Sequence, residues 1–279
     1  MTRTALALGA AVLPFLAAAD AQAGEYPLWE VGAGLGVIDF PDYRGSDERK
    51  TWLLPVPYLV YRGDILKADQ QRLRGLFFQS DRVEIDASVN GSVPVKSDDN
   101  QARSGMPDLD PTLEIGPALN LALVRSRDRK ISLELRLPLR AVIATDFSRV
   151  HGEGWIAAPN VNLDLHGIWP GEGWNLGMLA GPLYADSKYH QYFYGVEPAF
   201  ATPQRPAYSA RGGYAGTQFV AALSKRYPSF WVGGFVKWDT LNGAVFADSP
   251  LVKTKQYFSA GFAVSWVIAD SATRVEADY

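Results

Sequence analysis

An apolar residue at every second position, sustained for eleven or more residues at a time, is the pattern that decides what this chain can become. In 258–266, Phe258, Ala260, Phe262, Val264 and Trp266 alternate with Ser259, Gly261, Ala263 and Ser265. In 131–139, Ile131, Leu133, Leu135, Leu137 and Leu139 alternate with Ser132, Glu134, Arg136 and Pro138. Residues 83–93, 113–123 and 161–166 follow the same design. Successive strand side chains point to opposite faces, so each segment is a strand with one greasy face and one small or polar face. A soluble β-sandwich also alternates. Length separates the two: strands of globular proteins run about 5–6 residues, whereas a tilted strand crossing a bilayer needs about 9–11.

The pattern predicts strands at 28–38, 51–61, 64–69, 72–80, 82–93, 111–124, 130–144, 154–169, 174–186, 208–226, 230–241 and 254–268. Their connections alternate between short turns (62–63, 80–82, 125–129, 170–173, 227–229) and longer loops (39–50, 94–110, 145–153, 187–207, 242–253), with 70–71 out of pattern. That is the signature of an all-β fold: a single closed antiparallel transmembrane β-barrel of about twelve strands, within ten to fourteen, with short periplasmic turns and longer outer loops. Trp29, Trp52, Tyr58, Tyr61, Trp155, Trp169, Trp174, Trp231, Trp238 and Trp266 crowd the segment ends, where interfacial girdles place aromatics. The apolar face then meets lipid. Glu30, Glu84, Asp86, Glu114, Glu134, Arg136, Asp164, His166 and Lys237 fall on the lumen-lining face. With about twelve strands, a filled or narrow interior is expected over a wide channel.

Residues 1–23 read as a cleaved secretory leader: Arg3, an apolar run from Ala5 to Ala19, and Ala21-Gln22-Ala23 as a small-x-small cleavage site. The barrel then occupies 24–279, with 267–279 expected as a periplasmic tail. Despite export the chain has no cysteine, so strand pairing rather than disulfides must hold it together. A net charge of −3 gives no basic footprint for nucleic acid. Ser259, Gly261, Val264 and Trp266 fit the polar-x-Gly-x-x-apolar-x-aromatic pattern of a signal for the barrel-assembly machinery, although such signals normally end the chain.

An ordered set of short stretches resembles the MipA/OmpV family, the MltA-interacting protein family: Pro41 to Ser46, Leu54 to Tyr58, Tyr61 to Gly63, Gly105 to Leu109, Leu113 to Pro117, Tyr192 to Val196, Ala210 to Tyr214 and Asp248 to Val252. The resemblance implies a non-enzymatic barrel in the bacterial outer membrane. It also implies a scaffold role for a murein lytic transglycosylase and a murein synthase, or a surface adhesin or stress-responsive protein; it brings no catalytic residues and no cofactor. A small-solute channel is the alternative that the charged inner positions suggest.

Catalytic motifs are weak by comparison. Gly32, Gly34 and Gly36 are not spaced as a phosphate loop, and no helix pattern follows them. His151, His166 and His190 have no metal-ligand spacing. His166 and Asp164 share a face, but no Gly-x-Ser-x-Gly elbow accompanies them. Pro41 to Gly45 reads as a turn, with Pro setting φ and Gly permitting positive φ. Gly105 to Leu109 reads either as an exposed loop or as one folded back into the barrel mouth.

Overall fold

The computed structural model describes residues 25–62, 66–68, 73–75, 78–80, 82–128, 130–146, 148–168 and 173–276. The leader, the connection at 70–71 and Trp169 lie outside the described residues. The strands are β1 (Glu25–Pro27), β2 (Trp29–Pro41), β3 (Arg49–Arg62), β4 (Leu66–Ala68), β5 (Leu73–Gly75), β6 (Phe78–Gln79), β7 (Val83–Ser92), β8 (Thr112–Arg125), β9 (Ile131–Thr145), β10 (Val150–Ala157), β11 (Asn160–His166), β12 (Trp174–Ala185), β13 (Gly213–Arg226), β14 (Phe230–Thr240), β15 (Gln256–Asp270) and β16 (Arg274–Glu276). One α-helix, α1 (Ser187–Tyr194), sits between β12 and β13.

The long strands form one antiparallel sheet in the order β5-β4-β3-β2-β15-β14-β13-β12-β10-β9-β8-β7-β6, with β11 also pairing β12 and β9. The predicted strand at 154–169 is two strands. Pro159 lacks a donor for the ladder, and the chain breaks there, with β10 and β11 each bonded to β9 on one side and β12 on the other. The two ends of the sheet, β5 and β6, are adjacent in the chain, and Cα atoms of β5 lie within 8 Å of β7. Among the described residues no ladder joins these ends directly. Side chains from β2 and from β7 through β15 line one shared cavity, so the sheet curls round on itself.

Facing is the reverse of a soluble protein. Along β15, Phe258, Phe262 and Trp266 are 61%, 56% and 52% exposed, while Ser259, Ala263 and Ser265 are at most 6%. Leu35, Leu53, Leu113, Leu139, Phe219 and Val236 add to the exposed apolar face, and Asp86, Glu114, Asn120, Asn162 and Asp239 are buried on the other. Three of the expected girdle aromatics are turned inward instead: Tyr58 and Trp231 pack with Val60 and Ala263, and Trp52 packs against Ile38, Val220 and Phe235. Position near a strand end does not decide which face a ring takes. Gly34 is one of the inner positions, and a Cβ there would lie 2.0 Å from the Val264 carbonyl oxygen, so only glycine lets β15 come this close.

The last long strand runs on to Asp270, and β16 then pairs with β1 through Glu25–Glu276, Tyr26–Val275 and Pro27–Arg274. Much of the segment expected as a tail is therefore ordered against the start of the described chain.

Candidate functional site

At the turn end, a network around Glu30 bridges the inner face. Its carboxylate accepts from Tyr58 Oη at 2.9 Å, Arg62 Nη2 at 3.0 Å and Arg226 Nη2 at 3.0 Å, and Arg226 Nε donates to Tyr58 Oη at 2.9 Å. Two arginines on one buried carboxylate fix the side chains of β2, β3 and β13 together. Nearer mid-height, Arg136 pairs with Glu134 at 2.9 Å and lies 3.8 Å from Asp164, which also accepts from Asn162. Charges buried in this way need partners, and here the partners come from the same inner face.

Above them is a cavity of about 450 Å³. Glu114, Arg136, Arg140 and Lys237 contribute charge to its wall, and Ile38, Val220 and Phe235 form an apolar side. Glu114 accepts from Arg140 Nε at 2.9 Å and from Asn90 Nδ2 at 3.2 Å.

The roof is built by the long loops. The segment 187–207, expected as a longer loop, opens with α1, whose Asp186 cap accepts from the Tyr189 amide at 2.9 Å. Tyr189, His190, Phe193 and Tyr194 are buried, with Leu241, Phe246 and Leu251 fully enclosed beside them. Tyr194 stacks on Phe246 at 3.7 Å between centroids, and its hydroxyl donates to the Arg44 carbonyl at 3.0 Å. Tyr43 Oη donates to the Leu251 carbonyl at 2.8 Å, and Ser249 Oγ to the Tyr194 carbonyl at 2.8 Å. The loop 94–110 is folded in: Val95 and Leu109 are buried, and Arg103 donates to the Phe193 carbonyl at 3.2 Å. His190 Nδ1 lies 2.6 Å from the Arg211 carbonyl, and burial pushes its pKa down. The roof thus shares one hydrophobic core with the end of the sheet, where Val142, Ile156, Leu183 and Ala215 join the same cluster.

A buried ion pair also ties roof to wall. Arg44 in the β2–β3 loop reaches Asp239 of β14 with Nε at 3.1 Å and Nη2 at 2.8 Å, and donates from Nη1 to the Ala215 carbonyl at 2.8 Å. Lys237 Nζ lies 2.8 Å from the other Asp239 oxygen, and Asp239 is wholly buried. Sequence reasoning saw the turn around Gly45, which does take φ +97°, but missed Arg44 and Asp239. Nothing local links residues 195 positions apart.

The structure places Glu30, Asp86, Glu114 and Asp164 buried on the inner face, with Glu84, Glu134, Arg136, His166 and Lys237 partly buried there. It groups Glu114, Arg136 and Lys237 with Asp86 at the cavity and leaves Glu30 at the floor. Asp164 bonds to Asn162 and Arg136 rather than to His166. Ser259 and Val264 of the candidate assembly signal lie on opposite faces of β15, Ser259 at the cavity wall, with Gly261 opposite Phe235 and Trp266 exposed. Among the described residues no group of His, Asp and Glu is arranged to hold a metal ion.

The sequence matches the family described as MltA-interacting protein MipA over residues 32–268. No match was found among curated proteins. Among solved structures, a bacterial polysaccharide outer membrane secretin is 9% identical, with 87% of this chain and 99% of that chain covered and a TM-score of 0.42. Pseudomonas putida OprB is 9% identical, with 77% and 48% covered and a TM-score of 0.37. A Pseudomonas aeruginosa FadL homologue is 10% identical, with 90% and 74% covered and a TM-score of 0.31.

Proposed function

This chain belongs to the MltA-interacting protein MipA family, and from that premise we propose that it is a non-enzymatic outer-membrane β-barrel that serves as a scaffold for murein-processing enzymes. The observation that carries the membrane reading is the inverted facing: large apolar side chains outward and paired charges inward. Lipid requires that every backbone group be bonded within the protein, and a closed barrel satisfies this. Closure would fall between β5, which pairs with β4, and β6, which pairs with β7.

In this reading the turn end and both chain ends lie in the periplasm, after export and cleavage at Ala23, and the barrel-assembly machinery inserts the chain. The roof faces outward. The family's name points to a murein transglycosylase, MltA, as the partner, and the turn end is the face within its reach. Capture of a murein lytic transglycosylase and a murein synthase by the purified protein tests the scaffold. Enrichment above an unrelated barrel is expected, and recovery equal to that control rejects it. A free diffusion channel fits less well, because the Glu30 network lies at one end of the inner face and the roof core at the other. Planar bilayers containing the protein should show no steady conductance.

A further inference from the structure

The cavity under the roof holds polar groups that its own wall does not satisfy. The cations of its wall are matched: Arg140 with Glu114, Arg136 with Glu134, and Lys237 with Asp239, and Asp86 adds a further carboxylate. Asn120 is different. It lines the cavity at 4% exposure, and neither its Nδ2 nor its Oδ1 has a hydrogen-bond partner. Asn160 donates from Nδ2 to the Ala158 carbonyl at 2.8 Å but leaves Oδ1 unpartnered. Both are cross-strand neighbours of Arg136, one on each side of β9, so they stand on one row of the wall. At the ordinary interstrand spacing that row spans about 10 Å.

Buried amides are nearly always bonded, because leaving one unpaired is costly. An unmet donor and acceptor facing an apolar wall within a roofed cavity is the construction of a small-molecule site. We propose that this cavity binds one neutral amphipathic molecule, with a carboxamide-like or hydroxyl head at Asn120 and an apolar or aromatic body against Ile38, Val220 and Phe235. An anionic head is disfavoured because the arginines and the lysine of the wall are already paired with carboxylates, so it would be buried without a counter-charge. This inference rests on the curled sheet and its roof, not on the scaffold reading, and stands or falls separately.

The test titrates the folded, full-length protein in detergent with 2-naphthamide, 2-naphthoate and naphthalene, after subtracting the linear partitioning into micelles. One saturable site is expected for 2-naphthamide, at least about tenfold tighter than for either analogue, since a site built for hydrogen bonding disfavours a ligand that leaves it unpaired. Asn120→Leu keeps the bulk and removes the amide, so the preference for naphthamide over naphthalene should fall to within about twofold. Ala118→Phe, which fills the cavity from β8, should remove saturable binding of all three. If the latter variant fails to fold, the Asn120→Leu ratio alone decides. Non-saturable uptake of naphthamide, or an unchanged ratio in Asn120→Leu, overturns the proposal and assigns Asn120 to ordered water.

Discussion

Replacing Arg44 with alanine should unlatch the roof while leaving the sheet intact. The change removes two bonds to Asp239, at 3.1 and 2.8 Å, and one to the Ala215 carbonyl at 2.8 Å. Breaking a buried ion pair by removing one partner costs about 3–5 kcal/mol. Lys237, 2.8 Å from the second Asp239 oxygen, still compensates that carboxylate. The cost therefore falls at the low end, about 3 kcal/mol, or roughly 150-fold in the ratio of closed to open roof. It falls locally, because Arg44 belongs to a loop while the ladder between β2 and β3 runs on beneath it from Pro41–Arg49 to Trp29–Tyr61. Amide hydrogen exchange reads this directly, since local opening sets protection. Peptides from 187–196 and 248–252 should exchange about a hundredfold faster, and those from β8 and β9 should not change. Arg44→Lys should recover only part of the protection, for an ammonium cannot supply the guanidinium fork. Acceleration of the roof peptides by less than about tenfold, or equal acceleration in the strands, would refute the latch.

Leu35→Arg, on the exposed apolar face near the middle of β2, should cost about 2–4 kcal/mol for folding into lipid vesicles; if the residue faced water, the vesicle-folding midpoint would not move. His190 is held below its ordinary 6.5 by burial, so the open roof binds more protons as pH falls below 6.5, and stability of the closed roof is full above that point and lost below it. Exchange rates of 187–196, corrected for intrinsic pH dependence, should rise between pH 7 and pH 5 in the native protein and stay flat in His190→Gln; parallel profiles would remove His190 as the cause. Gly45→Ala places a Cβ 2.9 Å from Leu241 Cδ1 at φ +97° and should destabilise the roof by about 1–2 kcal/mol. An unchanged exchange pattern around Tyr43 would contradict the strain.

What the sequence disclosed was whatever repeats within a few residues. Alternation along 258–266 and 131–139 is local, and the facing it implied is the facing of Phe258, Ser259, Leu137 and Leu139 in the structure. Register and inner partners are not local. Arg140 meets Glu114 from 26 positions away, and Arg226 meets Glu30 from 196. Two signals were present but unread. Asp186 followed by Ser-Lys-Tyr is an N-cap, and Tyr189, His190, Phe193 and Tyr194 recur at helical spacing. Pro159 likewise marks the break in the strand drawn across it. The roof was readable only in pieces: several of the stretches behind the family resemblance, including Pro41 to Ser46, Tyr192 to Val196 and Asp248 to Val252, are the ones that meet there. Their separate readings as turns and loops could not disclose the shared core.

The contacts that knit the roof span 208 residues from Tyr43 to Leu251 and 150 from Tyr194 to Arg44. Such contacts carry the largest loop-closure entropy and form late. The Tyr43–Leu251 contact cannot form until the last loop is made, so the first loop must wait for it. A molecule with a finished lid has thus brought its first and last outer loops together, and an antibody that recognises both would count only such copies.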